Sequence, residues 1–278
     1  MPLECHMTEQ EVDSAEGCFP VRIGRCVYCG AMDDLSDEHV VPHGLGGKWL
    51  LLEASCPRCR DATSLVERRV LREQFIGART VLDMPTRRKR ERPTVLEQKL
   101  VAGDRHIALS LRPSDHPAPL AFPIFPPPTG RVDVTAASES FLTGIRVATR
   151  QGRLEALVAT TGADKWTYPF AGAETFARFV AKVGYCFAVG SFGLDAIAEH
   201  YVRPFIVEGG VGIFSWVGCS PILADRTPDG GHHLSAVISD DVLSSEVQFF
   251  GIPGAPIYSV IVGRIHATAG ESPAAEAY

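Results

Sequence analysis

The sequence has no uncharged apolar run long enough to cross a bilayer. Its longest, Val183 to Leu194, is broken by three glycines and falls well short of the roughly 20 residues a spanning helix needs. The first 19 residues contain no Lys or Arg and instead carry Glu4, Glu9, Glu11, Asp13 and Glu16, whereas a secretory leader opens basic and continues into an apolar stretch. The expectation is a cytoplasmic chain with no membrane partner. No internal repeat at solenoid spacing is visible. An evenly spread cysteine framework is also missing, because four of the eight cysteines fall into two C-x-x-C pairs, which is metal spacing and not the pattern of a disulfide-stapled secreted domain.

What is present is ordinary for globular protein, with 45% hydrophobic and 22% charged residues in 278, enough for two cores. The net charge of −6 argues against a polyanionic partner only if it is evenly distributed, and it is not. Residues 1–19 carry −5. Residues 20–112 carry +5, from 17 Lys+Arg against 12 Asp+Glu, and residues 113–278 carry −6, from 10 against 16. The basic part is the part with the paired cysteines, as expected if that part faces phosphates.

The chain divides into an acidic flexible tail (1–19), a cysteine-containing basic domain (20–112), a Pro-rich linker (113–130) and a C-terminal domain (131–278). The linker "PSDHPAPLAFPIFPPPTG" holds seven prolines and can be neither helix nor central strand. Before it, "RHIALSLRP" reads as a strand. After it, "GIRVATR" and "RLEALVAT" alternate as strands do, and Phe176, Phe179, Val180, Val183 and Phe187 have helical spacing over Gly172 to Ala188. Four more strands are expected at "GIFSWVG", "HLSAVIS", "SEVQFFG" and "PIYSVIVG". The fold class is therefore α+β, a small metal-bound domain followed by a mostly antiparallel sheet with a helix on it. Ser64 and Glu67 have the spacing of a capping box that opens a helix through Val66, Val70 and Leu71. His232 and His233 beside Asp229 read as a polar turn. Cys186 and Cys219 read as small buried hydrophobes, and Cys5, His6 and Cys18 as part of the acidic tail.

Zn²⁺ prefers four soft ligands in a tetrahedron, and "CVYCG" with "CPRC" supplies them as Cys26, Cys29, Cys56 and Cys59. Gly30 stands where the first knuckle needs a positive φ, and Pro57 stiffens the second. A closed shell of four thiolates has no open position, so this zinc is structural.

Between the pairs lies "LSDEHVVPHGLGGKWLLLEAS", which at "DEHVVP" and "GLGG" resembles the HNH endonuclease family. The resemblance covers about residues 24–80. It implies a ββα-metal unit in which a strand ends at the acid-histidine pair, a second strand returns, and a helix begins at the second C-x-x-C. It implies hydrolysis of phosphodiester bonds in nucleic acid, foremost DNA, with Glu38 ligating a catalytic Mg²⁺ or similar ion and His39 as general base. Histidine suits that role because its ordinary pKa of roughly 6.5 lets it take a proton from water and release it again. Neighbours in an ideal strand face opposite ways, so Glu38 and His39 share a site only if the strand ends there, and Pro42 with Gly44, Gly46 and Gly47 favours that break. Where family members carry another metal ligand just after the last cysteine or a turn later, this chain has Arg60 and Ser64. Arginine offers only donors. Asp61 is the nearest replacement carboxylate, with Glu67 and Glu53 behind it, and Arg60 can instead contact the scissile phosphate.

Arg68, Arg69, Arg72 and Arg79, and then Arg87, Arg88, Lys89, Arg90 and Arg92, supply phosphate contacts that are indifferent to sequence. No catalytic constellation marks the C-terminal half, which is left for a trigger, a regulatory partner or a second copy of the chain. Two other functions stay open: a zinc-stapled nucleic-acid-binding module without hydrolysis, and a nuclease effector gated by its C-terminal domain.

Overall fold

The computed structural model describes residues 20–131, 141–220 and 231–266, together with the backbone of residues 4–8. In chain order the elements begin with strands β1 (Glu4–Thr8), β2 (Val21–Arg22), β3 (Ser36–His39) and β4 (Leu50–Ser55). Helices α1 (Pro57–Arg69) and α2 (Ile76–Val81) follow, then strands β5 (Leu96–Ala102), β6 (Arg105–Leu111), β7 (Leu120–Ile124) and β8 (Gly144–Ala148). Next come helix α3 (Arg153–Thr161), strand β9 (Lys165–Trp166), helix α4 (Ala173–Phe192), strand β10 (Ile197–His200) and helix α5 (Arg203–Glu208). Strands β11 (Val217–Cys219), β12 (His233–Ser239), β13 (Val242–Gln248) and β14 (Tyr258–Ile265) complete the chain.

The fold is mixed α+β. A six-stranded sheet runs β1-β12-β13-β14-β10 with β11 also on β14, and every pairing in it is antiparallel. Three small sheets, β2-β4-β3, β6-β5-β9 and β7-β8, lie beside it. Within the tail expected to be flexible, residues 4–8 pair with β12. Cys18 and Asp229 lie outside the described residues.

Three local expectations change. "RLEALVAT" is helix α3, because Leu154, Leu157 and Val158 recur at i, i+3 and i+4, and Gly152 and Gly162 in left-handed conformation bracket the segment. "GIFSWVG" is a 3₁₀ turn over Val211–Ser215 followed by only three residues of strand. The capping box fails: Cys56 is the N-cap and Pro57 the first helical residue of α1, which places Ser64 and Glu67 in its interior. Proline belongs at that first position, where its missing N–H costs nothing.

The Pro-rich stretch does not pass through solvent. Phe122 and Phe125 are buried, the Gln74 amide donates to the Ala121 carbonyl at 2.7 Å, and the Tyr258 hydroxyl donates to the Pro123 carbonyl at 2.9 Å. Pro123 lies in a two-stranded sheet, where a strand has an open edge and a missing N–H is tolerated.

At the centre is α4, hydrophobic almost all round and buried from Phe179 through Val189, as a helix packed on more than one side must be. It packs on β12, β13 and β14 and also on α1. Gly184 permits the close approach to the sheet, since a Cβ there would meet Val260 Cγ2 at 2.9 Å. Aromatic contacts join the cysteine-containing part to α4: Trp49 stacks on Phe187 at 5.6 Å, and Phe75 meets Phe176 edge-on at 6.1 Å. Apolar side chains from Cys26 to Val262 form one continuous core cluster.

Candidate functional site

The four Sγ atoms of Cys26, Cys29, Cys56 and Cys59 all lie within 4.8 Å of one another, and Cys29 and Cys56 approach to 3.6 Å. A tetrahedral Zn²⁺ with bonds of about 2.3 Å needs sulfurs about 3.8 Å apart, so the cluster fits the ion. The backbone explains the placement. The Gly30 N–H donates to the Cys26 carbonyl at 2.8 Å and the Cys26 N–H to the Ala31 carbonyl at 2.7 Å, and Gly30 has φ +79, closing the first knuckle as a tight turn. The second knuckle is the first turn of α1. Burial pushes the Cys26 and Cys59 thiols up. At Cys56 burial also pushes upward, but the Cys59 backbone N–H and the neighbouring thiols bring it down to about 7. Thiolates crowded in this way need a cation to hold them.

β3 begins at Ser36, opposite Ser55 just before the second knuckle, and ends at His39, opposite Leu50. Its pairing with β4 is irregular between Ser36 and Glu38. Across from that irregularity Glu53 has φ +51, its N–H donates to Asp37 Oδ1 at 3.0 Å, and its carboxylate grips Arg22 at 2.8 and 3.0 Å. Glu53 is therefore a brace of the small sheet. After His39 the chain turns through Pro42 into a 3₁₀ turn over His43–Leu45 and a left-handed Gly46. The turn is pinned from outside. His232 Nδ1 accepts the Phe250 N–H at 3.3 Å, so Nε2 carries the proton and donates to the Leu45 carbonyl at 2.9 Å. His232 and His233 are buried, which corrects the expected polar turn. The apolar walls, not the neighbouring sequence, set their environment.

Strand end, turn and α1 line a cleft of about 710 Å³. Glu38, His39, His43 and Glu67 reach it, and so do seven arginines, among them Arg60, Arg68, Arg72 and Arg87. The His39 and His43 rings meet edge-on with centroids 5.8 Å apart. Burial, then the positive charges of Lys182 and neighbours including Arg87, lower the His39 pKa against the opposing pull of Glu38. The imidazole is thus neutral at neutral pH, the form that accepts a proton.

The basic run splits. Arg87, Arg88 and Arg92 line the cleft, whereas Lys89 and Arg90 are exposed and sit in a short 3₁₀ turn outside its lining. Arg88 pairs with Glu91 at 3.0 Å, and Arg92 is held by Asp83 and the Met84 carbonyl. Arg79 is a strut that donates to the Gly44 carbonyl at 2.7 Å and the Leu71 carbonyl at 3.2 Å. Arg68, Arg72 and Arg87 form no ion pair among the described residues.

Asp61 does not reach the cleft. Its side chain is 78% exposed and pairs with its neighbour Arg60 at 3.6 Å. The second carboxylate is Glu67, two helical turns along α1. Between Glu38 and Glu67 lies a residue that the sequence reading passed over, Lys182 of α4, only 1% exposed. Its Nζ is 2.8 Å from Glu38 Oε1 and 2.9 Å from Glu67 Oε1, and it donates to the carbonyls of His39 and, at 3.3 Å, Val40. Burial works against its charge, but the two carboxylates outweigh that and raise its pKa. The sequence signal was a single charge in "FVAKVGYCF", an otherwise apolar helix, where an ammonium must find partners. One oxygen of the Glu38 carboxylate, Oε1, is thus already engaged by a cation.

Among the described residues no helix is long and apolar enough to cross a membrane. Compared with protein-family models, with curated proteins and with solved structures, the chain matches none.

Proposed function

We propose that this protein grips the phosphate backbone of nucleic acid in the arginine-lined cleft and hydrolyses phosphodiester bonds there, with His39 as general base. The observation that carries the reading is the placement of a half-buried His39 of lowered pKa in the same cleft as seven arginines. The likeness of "DEHVVP" and "GLGG" to HNH endonucleases supports it, and so does the order of β3, β4 and a helix beginning at the second cysteine pair. In the proposed step His39 takes a proton from water and the water oxygen bonds to phosphorus. The phosphorus–oxygen bond opposite breaks, and the leaving oxygen takes its proton from solvent water. Guanidinium groups such as Arg60 and Arg87 carry the charge that builds on the phosphoryl oxygens.

Lys182 on Glu38 favours a second reading, a zinc-stapled nucleic-acid-binding protein without hydrolysis. The two separate in one experiment: supercoiled DNA and single-stranded RNA are incubated with wild type and His39→Ala, with and without Mg²⁺, Mn²⁺ or Ni²⁺. Cleavage by wild type that His39→Ala loses supports the nuclease. No cleavage under any condition, with binding retained, leaves the binding module. Equal cleavage by both proteins sinks the role of His39.

A further inference from the structure

We propose that Lys182 is a built-in cation that holds the Glu38 carboxylate from behind the cleft, so that Glu38 binds no divalent ion and the cleft works without a catalytic metal. This deepens the nuclease reading and rests on it. The Lys182 Nζ has four oxygen neighbours: one carboxylate oxygen each from Glu38 and Glu67, at 2.8 and 2.9 Å, and the His39 and Val40 carbonyls. Carboxylate and carbonyl oxygens are the donor set a hard divalent cation prefers, but here a lysine tethered to the core collects them. Its three N–H donors match oxygen acceptors, and its charge offsets one of the two carboxylates. The ammonium is buried and does not line the cleft, so Lys182 is a positioning residue. By holding the His39 carbonyl and the flanking carboxylate it sets where the imidazole stands.

The position is also over-determined from behind. Lys182 projects from the most buried stretch of α4, between Phe179 and Cys186, and α4 is clamped to the sheet at Gly184, whose carbonyl accepts the Ser245 hydroxyl at 2.9 Å. A metal ion in that place would have to displace this side chain within a packed interior. Driving it out would leave a buried ammonium without its partners.

The test is Mn²⁺ binding to the zinc-loaded full chain, read by electron paramagnetic resonance, which is independent of cleavage. Wild type is expected to show no Mn²⁺ whose binding depends on Glu38, up to millimolar concentration. A wild-type Mn²⁺ site that Glu38→Gln abolishes overturns the proposal. In Lys182→Met, checked for folding by circular dichroism, the vacated carboxylates are expected to bind Mn²⁺ at least about tenfold more tightly than wild type. A folded Lys182→Met that gains no Mn²⁺ also overturns it. Should that variant not fold, the comparison of wild type with Glu38→Gln decides alone. Failure to cleave nucleic acid refutes the nuclease reading and leaves this outcome untouched.

Discussion

At the scale of single residues, the site turns on which polar groups are free and which are already engaged. His39 is neutral at neutral pH because burial and nearby cations penalise its charged form. A general base acts when unprotonated, so kcat/KM for cleavage is expected to fall only as pH drops below the ordinary histidine value of about 6.5. An acid limb centred above that value would show that another group is the base. The same sign holds for stability. A histidine whose pKa is lowered by folding binds fewer protons folded than unfolded, so its contribution is present above about pH 6.5 and is lost on acidification. Asp61 is the contrasting case, since it lies in solvent beside Arg60. Asp61→Ala is expected to change stability by less than about 0.5 kcal/mol and to leave cleavage within about twofold of wild type. A large loss of activity in that variant, measured beside Glu67→Gln, would restore Asp61 as a functional ligand.

At the scale of elements, the turn between β3 and β4 decides whether a histidine at a strand end becomes a site. Gly47 approaches the Val41 carbonyl so closely that an added Cβ would lie 1.9 Å from its oxygen. No side-chain rotation relieves a clash with backbone. Gly47→Ala is therefore expected to cost about 1–3 kcal/mol or more in urea unfolding, with a larger loss of activity as His39 and His43 shift. Unchanged stability would mean that the turn is not held where we place it. The Pro-rich stretch carries a related lesson. Its prolines exclude it from central strands, yet Phe122 and Phe125 anchor it in the core, because a two-stranded sheet and side-chain donors satisfy the backbone that proline cannot.

For the whole molecule, one core cluster ties the cysteine cluster to the C-terminal sheet through α4. Stripping zinc with a chelator, or Cys59→Ser, is expected to lower the Tm of one common unfolding transition, since structural zinc contributes folding energy directly. Two transitions in calorimetry, with only one sensitive to zinc, would show that the halves fold separately. The acidic remainder of the chain does not cancel a local basic cleft, because at physiological salt charges are screened beyond about 8 Å. Arg60→Ala and Arg87→Ala are each expected to weaken nucleic-acid binding and to reduce the slope of log K against log salt by about 1, measured by fluorescence anisotropy. Lys89→Ala and Arg90→Ala, outside the cleft lining, are expected to change neither, and an equal effect from all four would return the whole run to a diffuse basic tether.

The sequence alone determined the features written in short spacing. Each C-x-x-C pair brings two thiols together with only a local turn, and two such pairs mark a metal site. The period of Phe176, Phe179, Val180, Val183 and Phe187 made α4, and period-two alternation with turn residues between made most of the large sheet. Local pattern misled where two periods overlap, as in α3, or where a polar residue has a partner distant in the chain. Only the tertiary structure decided that Lys182 stands on Glu38, 144 positions away, that His232 locks the turn beside His43, and that Asp61 faces water while Glu67 faces the cleft. The physical reason is the same in each case. A buried charge or hydrogen-bonding group must be matched by whatever packing brings to it, and packing is a property of the assembled core, not of neighbours along the chain.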